Sequence, residues 1–544
     1  MYKRQVLPAQ PRRLFEGAET LTFQAPPNLK SEIMQTELKR EIQYLSRKKM
    51  ALRKAKLKKD GQYRYKYEKR SGLTAQRSNK PALPYPHKHF DPKYCIRNKN
   101  FLAKSIWKSC LDGTYEPQPS LLTEIPKGDG GYREIMDFSI PDAALGRVVY
   151  RRINRRNLKK QSADSYAYRP DRNLFDALLR LRNSIDRPKV FIAQYDFKKF
   201  FDSIPHSYLL ELINDKDRFT STETERKIIL SFMKHSYANR KNYDLGYFEK
   251  RKTGTPQGSS ISLFLANLAN DPLDKDLEKL NGQFIRYADD VVNIAYNYED
   301  ALRIENAFHV HCKRSGIELN VKKSKGISVL SEFSQEIRNA ESFVFLGYKI
   351  DRTGFSISQK AKERIKQKIS NLLNLYLLRH PRNSDFNTSR VGNGYDWDLL
   401  GCLSEIRNVI YGGLRESRIQ NFLKTGQRPT QKKIRGYMSF YCLIENGEDF
   451  HEMDGWLCDA VYQACRNRKK YLQKMGYSYP SITKDNLISG KWYTPQPNKS
   501  GKGLFEPEVR LPSFVRGWRA ARKFYYIFGL EEVSKPKYLG YSYL

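Results

Sequence analysis

The chain has 544 residues and a formal net charge of +39, because 98 lysines and arginines stand against only 59 aspartates and glutamates. This length predicts about two to four structural units. So large a positive excess favours a polyanionic partner, with nucleic acid ahead of an anionic membrane surface, and a merely basic soluble surface is the plainer alternative.

Cysteine content and hydropathy indicate the cellular compartment in which the chain works. The seven cysteines are odd in number and include no CxxC pair, which argues against a zinc site or a disulfide framework and predicts a reducing cytoplasm. No apolar run approaches ~18 residues, so we expect no transmembrane helix and no membrane partner. The first residues carry charge without an apolar segment behind it, so we expect no signal peptide.

Residues 1–100 are predicted to form a basic N-terminal extension. Apolar residues recur at helical spacing among its lysines and arginines, at Leu38, Ile42, Leu45 and Leu52. The segment GQYRYKYEKR (61–70) alternates aromatic and basic residues, which predicts a strand or an extended arm that contacts RNA. A solvated helix and loop is the alternative. A proline-rich linker, residues 78–94, ends the extension.

Strands and helices alternate from residue 101 to about 355. The apolar run VFIAQYD (190–196) predicts a strand that ends on an acid, and GSSISLFLANLANDPLDKDLEKL predicts a helix opened by glycine and serine. QFIRYADDVVNIAY predicts two strands joined by a tight acidic turn. Beyond residue 356 strands become rare, and the remainder is predicted to be mainly helical.

Three aspartates at predicted strand ends are the basis for predicting a metal-dependent catalytic site. Asp196 ends one apolar strand, while Asp289 and Asp290 lie on the turn between two others. Converging carboxylates repel one another unless divalent cations neutralise them, and Mg²⁺ suits this task because it takes one or two carboxylates and completes its shell with water and phosphates. Two such ions, ~4 Å apart, would activate a 3′-hydroxyl and stabilise a leaving pyrophosphate. A polar hairpin turn without chemistry is the alternative.

Seven blocks, in family order, resemble those of reverse transcriptases, in the branch that contains group II intron, retron and bacterial defence-associated enzymes. The blocks with the aspartates and the pocket are YDFKKFFDSI (195–204), GTPQGSSISLFLAN (254–267) and YADD (287–290). The others are IPKGDGGYREI (125–135), SYAYRPDRNLFDAL (165–178), ELNVKKSK (318–325) and FVFLGY (343–348).

The resemblance implies an α+β right-hand polymerase with fingers, palm and thumb. Residues 1–100 would be the basic N-terminal extension, 101–355 the fingers and palm, and 356–544 the thumb and a mainly helical RNA-binding region. In that last region KKIRGYMSFY (432–441) and RGWRAARKFYY (516–526) resemble the RNA-binding segment of intron maturases, with plain helix packing as the alternative. No Cys/His cluster of the intron endonuclease type follows the polymerase blocks.

The resemblance also implies roles for individual residues. Phe201 would occupy the position at which a bulky ring excludes a ribose 2′-hydroxyl, and Lys323 would contact phosphate or donate a proton to pyrophosphate. The implied catalytic and metal site consists of Asp196, Asp289 and Asp290, with Phe197 beside the metal ions. The implied substrate-binding residues are Phe201, Gln257, Gly258, Lys127, Arg133 and Lys323.

We therefore predict an RNA-directed DNA polymerase that uses two Mg²⁺ ions and dNTPs, binds an RNA template and releases a DNA product. The defence-associated relatives imply a dedicated non-coding RNA as template and a role in antiphage defence. A homo-oligomer or a partner protein stays open.

Three other functions are weighed against this prediction. Template-independent or protein-primed DNA synthesis would use a tyrosine of the terminal YLGYSYL (538–544). A maturase-like RNA-binding protein without catalysis would have no use for the clustered aspartates. RNA-dependent RNA synthesis is disfavoured by Phe201 at the ribose position.

Overall fold

The structure is a computed structural model, and it describes residues 27–75, 84–126, 131–331, 339–430, 433–497 and 503–533. Lys127, the terminal segment 538–544 and part of the 78–94 linker lie outside the described residues.

The described chain alternates helices and strands up to Ile357 and is mainly helical beyond it, so the predicted α+β class is confirmed. The helices are α1 Pro27–Ser71, α2 Pro92–Arg97, α3 Lys99–Leu111, α4 Ile140–Asn157, α5 Leu174–Ser184, α6 Phe200–Ser203, α7 His206–Asn214, α8 Glu223–Met233, α9 Arg240–Leu245, α10 Ser260–Leu277, α11 Tyr298–Ser315, α12 Gln359–Leu373, α13 Arg379–Arg382, α14 Trp397–Tyr411, α15 Glu416–Thr425, α16 Tyr437–Phe440, α17 Glu448–Lys474, α18 Lys484–Ser489 and α19 Phe514–Phe528. The strands are β1 Ser120–Pro126, β2 Tyr132–Asp137, β3 Lys189–Tyr195, β4 Ser236–Ala238, β5 Glu249–Lys250, β6 Gln283–Tyr287, β7 Asp290–Ala295, β8 Gly326–Ser331, β9 Phe343–Phe345, β10 Tyr348–Ile350, β11 Phe355–Ile357, β12 Val391–Gly392, β13 Tyr395–Asp396, β14 Gln496–Pro497 and β15 Leu504–Phe505.

A four-stranded antiparallel sheet in the order β6-β7-β3-β8, here called the central sheet, lies between two hydrophobic cores. Successive side chains of a strand point to opposite faces, so Val190 and Ile192 of β3 enter one core while Phe191, Ala193 and Tyr195 enter the other. Helix α5, strands β9 to β11 and the C-terminal helices build the first core, and α4, α7, α10 and α11 build the second. Burial on both faces explains why residues 190–193, VFIA, are an unbroken apolar run.

Helix α1 corrects one local prediction. The segment 61–70, predicted as a strand or extended arm, is the last part of this helix. Its alternation of aromatic and basic residues is overridden by tertiary contacts at helical spacing: the Tyr63 hydroxyl accepts a hydrogen bond from Arg379, the Lys66 ammonium bonds Tyr376, and the Tyr67 ring packs edge-on against His380. Positions three and four apart share one helix face, and this face meets the C-terminal helices.

The C-terminal region is organised around a buried arginine. Arg468 of α17 has no exposed surface, and its guanidinium lies 2.8 Å from Asp396 and 3.2 Å from Asp398. It also donates to the Leu377 carbonyl at 2.9 Å. Burial opposes the charge of Arg468, but attraction to the two aspartates prevails and raises the pKa of its guanidinium. The two segments with maturase-like composition pack here as well, with Phe440 and Trp518 both buried.

In the part of the chain that the structure describes, no helix combines the length and the apolar character needed to cross a lipid bilayer. All seven cysteines lie within the described residues and are free thiols, six of them buried. The expectation that they form no disulfide framework agrees with this placement.

We predict that Arg468→Met lowers the free energy of unfolding by about 3–5 kcal/mol, because it leaves the buried Asp396 without a cation. The matched control is Lys198→Met, which removes an ion pair with Glu318 whose side chains are 60% and 70% exposed. This control should change stability by about 1 kcal/mol or less. Urea unfolding followed by circular dichroism measures both, and equal effects of the two variants would contradict the structural role of Arg468.

Candidate active site

The central sheet brings the three predicted aspartates to one edge. Tyr195 of β3 pairs with Val291 of β7, so Asp196, which follows β3, lies beside Asp290 at the start of β7. Asp289 is the neighbouring residue on the turn between β6 and β7, since Tyr287 pairs with Asp290 across that turn. An antiparallel register thus joins residues almost a hundred positions apart in the sequence.

Asp196 is held by the segment that precedes β8. The Asn320 side-chain amide donates to the Asp196 carboxylate at 3.1 Å, and the Lys323 ammonium lies 3.2 Å from the same oxygen. The Asp196 backbone amide donates to the Ser324 hydroxyl at 3.2 Å, while the Asn320 backbone amide donates to the Asp196 carbonyl at 2.7 Å. Main chain and side chain of Asp196 are therefore both fixed by one short segment.

The turn that carries Asp289 is held from below by a buried arginine. Ala288 has a backbone φ of 64°, a left-handed conformation that is strained for a residue with a side chain. Arg286, which is 1% exposed, donates to the Ala288 carbonyl at 3.1 Å and to the Asn267 side chain at 3.1 Å. It also forms a two-pronged ion pair with Asp274 of α10, with one bond at 2.7 Å.

The negative charge of Asp196 affects the pKa values of both neighbouring carboxylates. Burial and the charge of Asp196 raise the pKa of Asp289, while Lys323 and Arg133 oppose this rise. Crowding by protein atoms, together with the charges of Asp289 and Asp196, raises the pKa of Asp290 to about 7. Solvent reaches the exposed Asp290, which limits the size of this rise. The site is therefore a cluster of negative charge that lacks enough positive charge of its own.

The donor set fits a hard divalent cation that keeps part of its own shell. Among the described residues, no three His, Cys, Asp or Glu side chains stand close enough together to enclose a metal ion by themselves. Mg²⁺ does not require this, because it binds through one or two carboxylates and completes its shell with water and substrate phosphates. Phe197 has no side-chain donor atom and packs in the core against Phe200 and Phe308, so only its backbone carbonyl could face an ion.

A tight loop, residues 254–258, closes against the short helix α6 that follows Asp196. The Thr255 amide donates to the Phe201 carbonyl at 2.6 Å, and the Gln257 side chain donates to Asp202 at 3.2 Å. Gly258 has φ of 130°, and a side chain there would place its Cβ 2.0 Å from the Met136 carbonyl oxygen. Only glycine therefore allows this loop to meet β2, and the contact positions Gln257 and Gly258 beside Phe201.

The ring of Phe201 is half-buried and lies edge-on to Tyr168, with 6.3 Å between ring centroids. Its neighbour Phe200 is buried in the core. Tyr168 itself has a left-handed backbone φ of 60°, and its carbonyl accepts hydrogen bonds from Tyr150 at 2.7 Å and from Asn154 at 3.1 Å. The ring of Phe201 is thus only partly covered by protein, and its contact with substrate stays a prediction.

The structure describes one of the two cations that are predicted to bind the triphosphate. Arg133 lies on β2, and its charge acts on Asp289, so its side chain lies on the side of β2 that faces the aspartates. Lys127 lies outside the described residues. Lys323 is paired with Asp196 while its side chain remains 66% exposed, an arrangement that suits a phosphate contact.

Sequence reasoning missed the residues that hold the site in place: Asn320, Arg286, Asp274 and Tyr168. Each acts through a contact distant in sequence, so no local spacing marked it. Two weak signals existed, since Arg286 interrupts an otherwise apolar strand and Asp274 lies in a helix that is buried along nearly its whole length. A lone charge in such a setting requires a partner.

Comparison with known proteins agrees with the predicted resemblance. Residues 125–350 match the family model described as "Reverse transcriptase (RNA-dependent DNA polymerase)". The group II intron-encoded protein LtrA of Lactococcus lactis subsp. cremoris is 29% identical over 198 residues, which cover 36% of this chain and 31% of that protein. The putative COX1/OXI3 intron 1 protein of Saccharomyces cerevisiae is 28% identical over 166 residues, or 30% of this chain and 19% of that protein.

These matches show that residues 125–350 are similar to reverse transcriptases, among them a group II intron-encoded protein, and they agree with the predicted right-hand polymerase fold. Polymerases of this family generally use divalent metal ions. The chain spans about a third of the length of LtrA, and less of the yeast protein. A telomerase from Candida albicans, solved with a TWJ fragment of telomeric RNA, overlaps 72% of this chain and 68% of its own at 12% identity, with a TM-score of 0.36.

We predict that Asp290→Asn stabilises the metal-free protein at about pH 8 and changes its stability little at about pH 4. A carboxyl whose pKa is raised in the folded state contributes stability that is fully present below the ordinary carboxyl pKa of about 4, and this contribution is lost as the pH rises through about 7. The amide removes the charge that causes the loss. Thermal unfolding in EDTA measures the effect, with the exposed Asp186→Asn as the control at both pH values. A variant that is no more stable than wild type at the higher pH would refute the clustered-charge account.

Proposed function

We propose that the chain is an RNA-directed DNA polymerase that joins dNTPs on an RNA template with the help of two Mg²⁺ ions. The observation that carries this proposal is the cluster of Asp196, Asp289 and Asp290, in which burial and neighbouring negative charge raise the pKa values of Asp289 and Asp290, within the region that matches reverse transcriptases. Clustered carboxylates destabilise a fold unless they are used, so a purely RNA-binding protein would have little reason to retain them. In this proposal residues 101–355 form fingers and palm, and 356–544 form the thumb and an RNA-binding region.

Asp196, Asp289 and Asp290 would hold the ions, which when bound lower the pKa of an attacking 3′-hydroxyl and offset the charge of the leaving pyrophosphate. The chain itself orients the reactants. Arg133 and Lys323 bring positive charge to the aspartate edge, where the triphosphate would lie. The absence of a side chain at Gly258 lets the loop pack against the Met136 carbonyl, and this contact would position the loop backbone beside the nucleotide.

Sugar selection in this proposal is steric. The half-buried ring of Phe201, supported by Tyr168, would occupy the space of a ribose 2′-hydroxyl and so favour dNTPs over rNTPs. The 254–258 loop fixes the backbone of Phe201 through the Thr255 amide, so the ring cannot retreat easily. Such fixed positioning is what selection by shape requires.

We further propose a dedicated non-coding RNA as template, a role in antiphage defence and a cytoplasmic location. The template and the defence role rest on the resemblance to defence-associated reverse transcriptases. The free cysteines support a reducing compartment. A homo-oligomer or a partner protein is compatible with this proposal.

The central prediction concerns nucleic acid that co-purifies with the protein from its native host. We expect one discrete RNA with both wild type and the Asp289→Ala, Asp290→Ala double variant, and complementary DNA with wild type alone. Sequencing of the bound RNA and DNA measures this. Asp186→Ala, a change at an exposed aspartate outside the site, is the matched control and should retain the DNA.

Two other outcomes of this experiment would redirect the proposal. DNA that matches no co-purifying RNA would favour template-independent synthesis, and DNA covalently attached to the protein would favour protein priming. Absence of DNA from wild type, including during phage infection, would leave the RNA-binding function without catalysis as the better account.

We predict that Phe201→Ala lowers the preference for dNTPs over rNTPs on the order of tenfold or more, because the ring no longer excludes the 2′-hydroxyl. The ratio of kcat/KM for dGTP and GTP on one primed RNA template measures the effect. Phe200→Leu, a change at the buried neighbouring ring, is the control and should preserve the ratio. An unchanged ratio in Phe201→Ala would remove Phe201 from sugar selection.

A further inference from the structure

Helix α1 is anchored at its two ends on different parts of the molecule. Near its start, Leu38 and Ile42 are fully buried in the core that contains α4, and Glu41 pairs with Arg147 at 2.6 Å. Near its end, Arg70 is 5% exposed and lies 3.4 Å from the buried Asp398 of α14. The helix therefore links the α4 side of the molecule to the C-terminal helices.

Between these anchors the helix is largely open to solvent. Every residue from 51 to 60 is exposed, including Leu52 at 61% and Leu57 at 64%. Arg53 makes a contact at one end of this stretch, where it donates a hydrogen bond to the Tyr85 hydroxyl at 2.9 Å. From Arg53 to Tyr63, which contacts Arg379, the helix runs for about 15 Å at 1.5 Å per residue.

The same face of α1 contacts protein at both ends. Helical geometry therefore shows which residues of the exposed stretch lie on that face. With 3.6 residues per turn, positions spaced alternately three and four apart remain on one face. Starting from the buried residues, this face runs through Leu38, Ile42, Leu45, Lys49, Leu52, Lys56, Lys59, Tyr63, Lys66 and Arg70. Lys56 and Lys59 therefore point inward, toward the space that the helix crosses, whereas Lys54 and Lys58 point outward.

The exposed stretch is strongly cationic. It carries five cations, Arg53, Lys54, Lys56, Lys58 and Lys59, against the single acid Asp60. Like charges three and four positions apart destabilise an isolated helix by about 0.2–0.5 kcal/mol per pair, so a polyanion beside this stretch would stabilise it. Cations surround the helix, so it lacks the apolar face with which amphipathic helices enter a membrane.

The crossing begins close to the candidate active site. Lys49 pairs with Asp137, the last residue of β2, and Arg133 on the same strand is the cation whose charge reaches Asp289. Four residues of strand separate the two positions by about 13 Å. An occupant of the space under α1 would thus lie beside the nucleotide pocket.

We propose that α1 is a strap that crosses over the template–product duplex and contacts its phosphates through Lys56 and Lys59. This inference rests on the proposed function, because it identifies the occupant as the RNA–DNA hybrid that leaves the site. The exposed stretch of about 15 Å can lie along the phosphates of a duplex, and the inward lysines offer point charges for them without sequence preference.

The test compares two double variants that remove the same charge from opposite faces of one helix: Lys56→Gln, Lys59→Gln on the inner face and Lys54→Gln, Lys58→Gln on the outer face. All four lysines are exposed and form no ion pair or hydrogen bond with the described residues, and glutamine is a good helix former, so both variants should fold as wild type does. Binding of the full-length protein to a fluorescent RNA–DNA hybrid is measured over a range of salt concentrations, with double-stranded RNA as a second probe.

We expect the inner variant to lower the slope of log Kd against log salt by about two and to weaken hybrid binding about fivefold per lost contact near 0.15 M salt. The outer variant should bind nearly as wild type does. Equal weakening by both variants would reduce the effect to general charge and overturn the strap, and so would unchanged binding by the inner variant. Weakening confined to double-stranded RNA would overturn the assignment to the hybrid.

A second readout separates failure of the strap from failure of the proposed function. On a long primed template, the inner variant should add the first nucleotide at the wild-type rate and yield shorter products, because the duplex escapes more often. Wild-type product lengths would overturn the strap while polymerisation stands. If no protein extends a primer but the inner variant still loses hybrid binding, the strap stands and the polymerase proposal falls.

Discussion

The candidate site depends on a buried ion pair beneath the YADD turn. Burial raises the pKa of Asp274 to about 6 even though Arg286 lies against it, which shows how costly the charged pair is in this position. Loss of either partner from a buried pair costs about 3–5 kcal/mol, because the other charge is left without compensation. Arg286 also bonds the carbonyl of the strained Ala288. The pair therefore fixes the turn that carries Asp289 to helix α10.

The position of the central sheet between two cores explains why the aspartates can gather at all. Each strand is buried on both faces, so the sheet cannot slip by one residue without exchanging every side chain between the cores. That fixed register keeps Asp196 beside Asp290 despite their repulsion. Packing energy far from the site thus holds Asp196 close enough to raise the pKa values of Asp289 and Asp290, and such shifts are a common feature of catalytic clusters.

Much of this arrangement could be predicted from the sequence. The strand before Asp196, the hairpin around Asp289 and helix α10 follow from local apolar patterns, and the order of the blocks predicted the candidate site. The supports of the site could not be predicted. Asn320 reaches Asp196 across 124 residues and Arg286 meets Asp274 through packing, so no spacing rule applies to either contact. The strand predicted for 61–70 failed for the same reason, since contacts with Tyr376 and His380 selected a helix.

The helical conformation of residues 61–70 raises the question of why α1 has its particular amino-acid composition. A helix can cross open space only if its residues favour helix without help from packing, and the alanine, leucine, lysine and arginine of 51–59 are among the best helix formers. Acidic residues at alternate turns would have stabilised such a stretch at least as well, through opposite-charge pairs. The sequence uses cations almost exclusively and places two of them, Lys56 and Lys59, on the inward face between two protein anchors. Stability of the helix alone does not account for that choice, whereas a polyanion beneath it does.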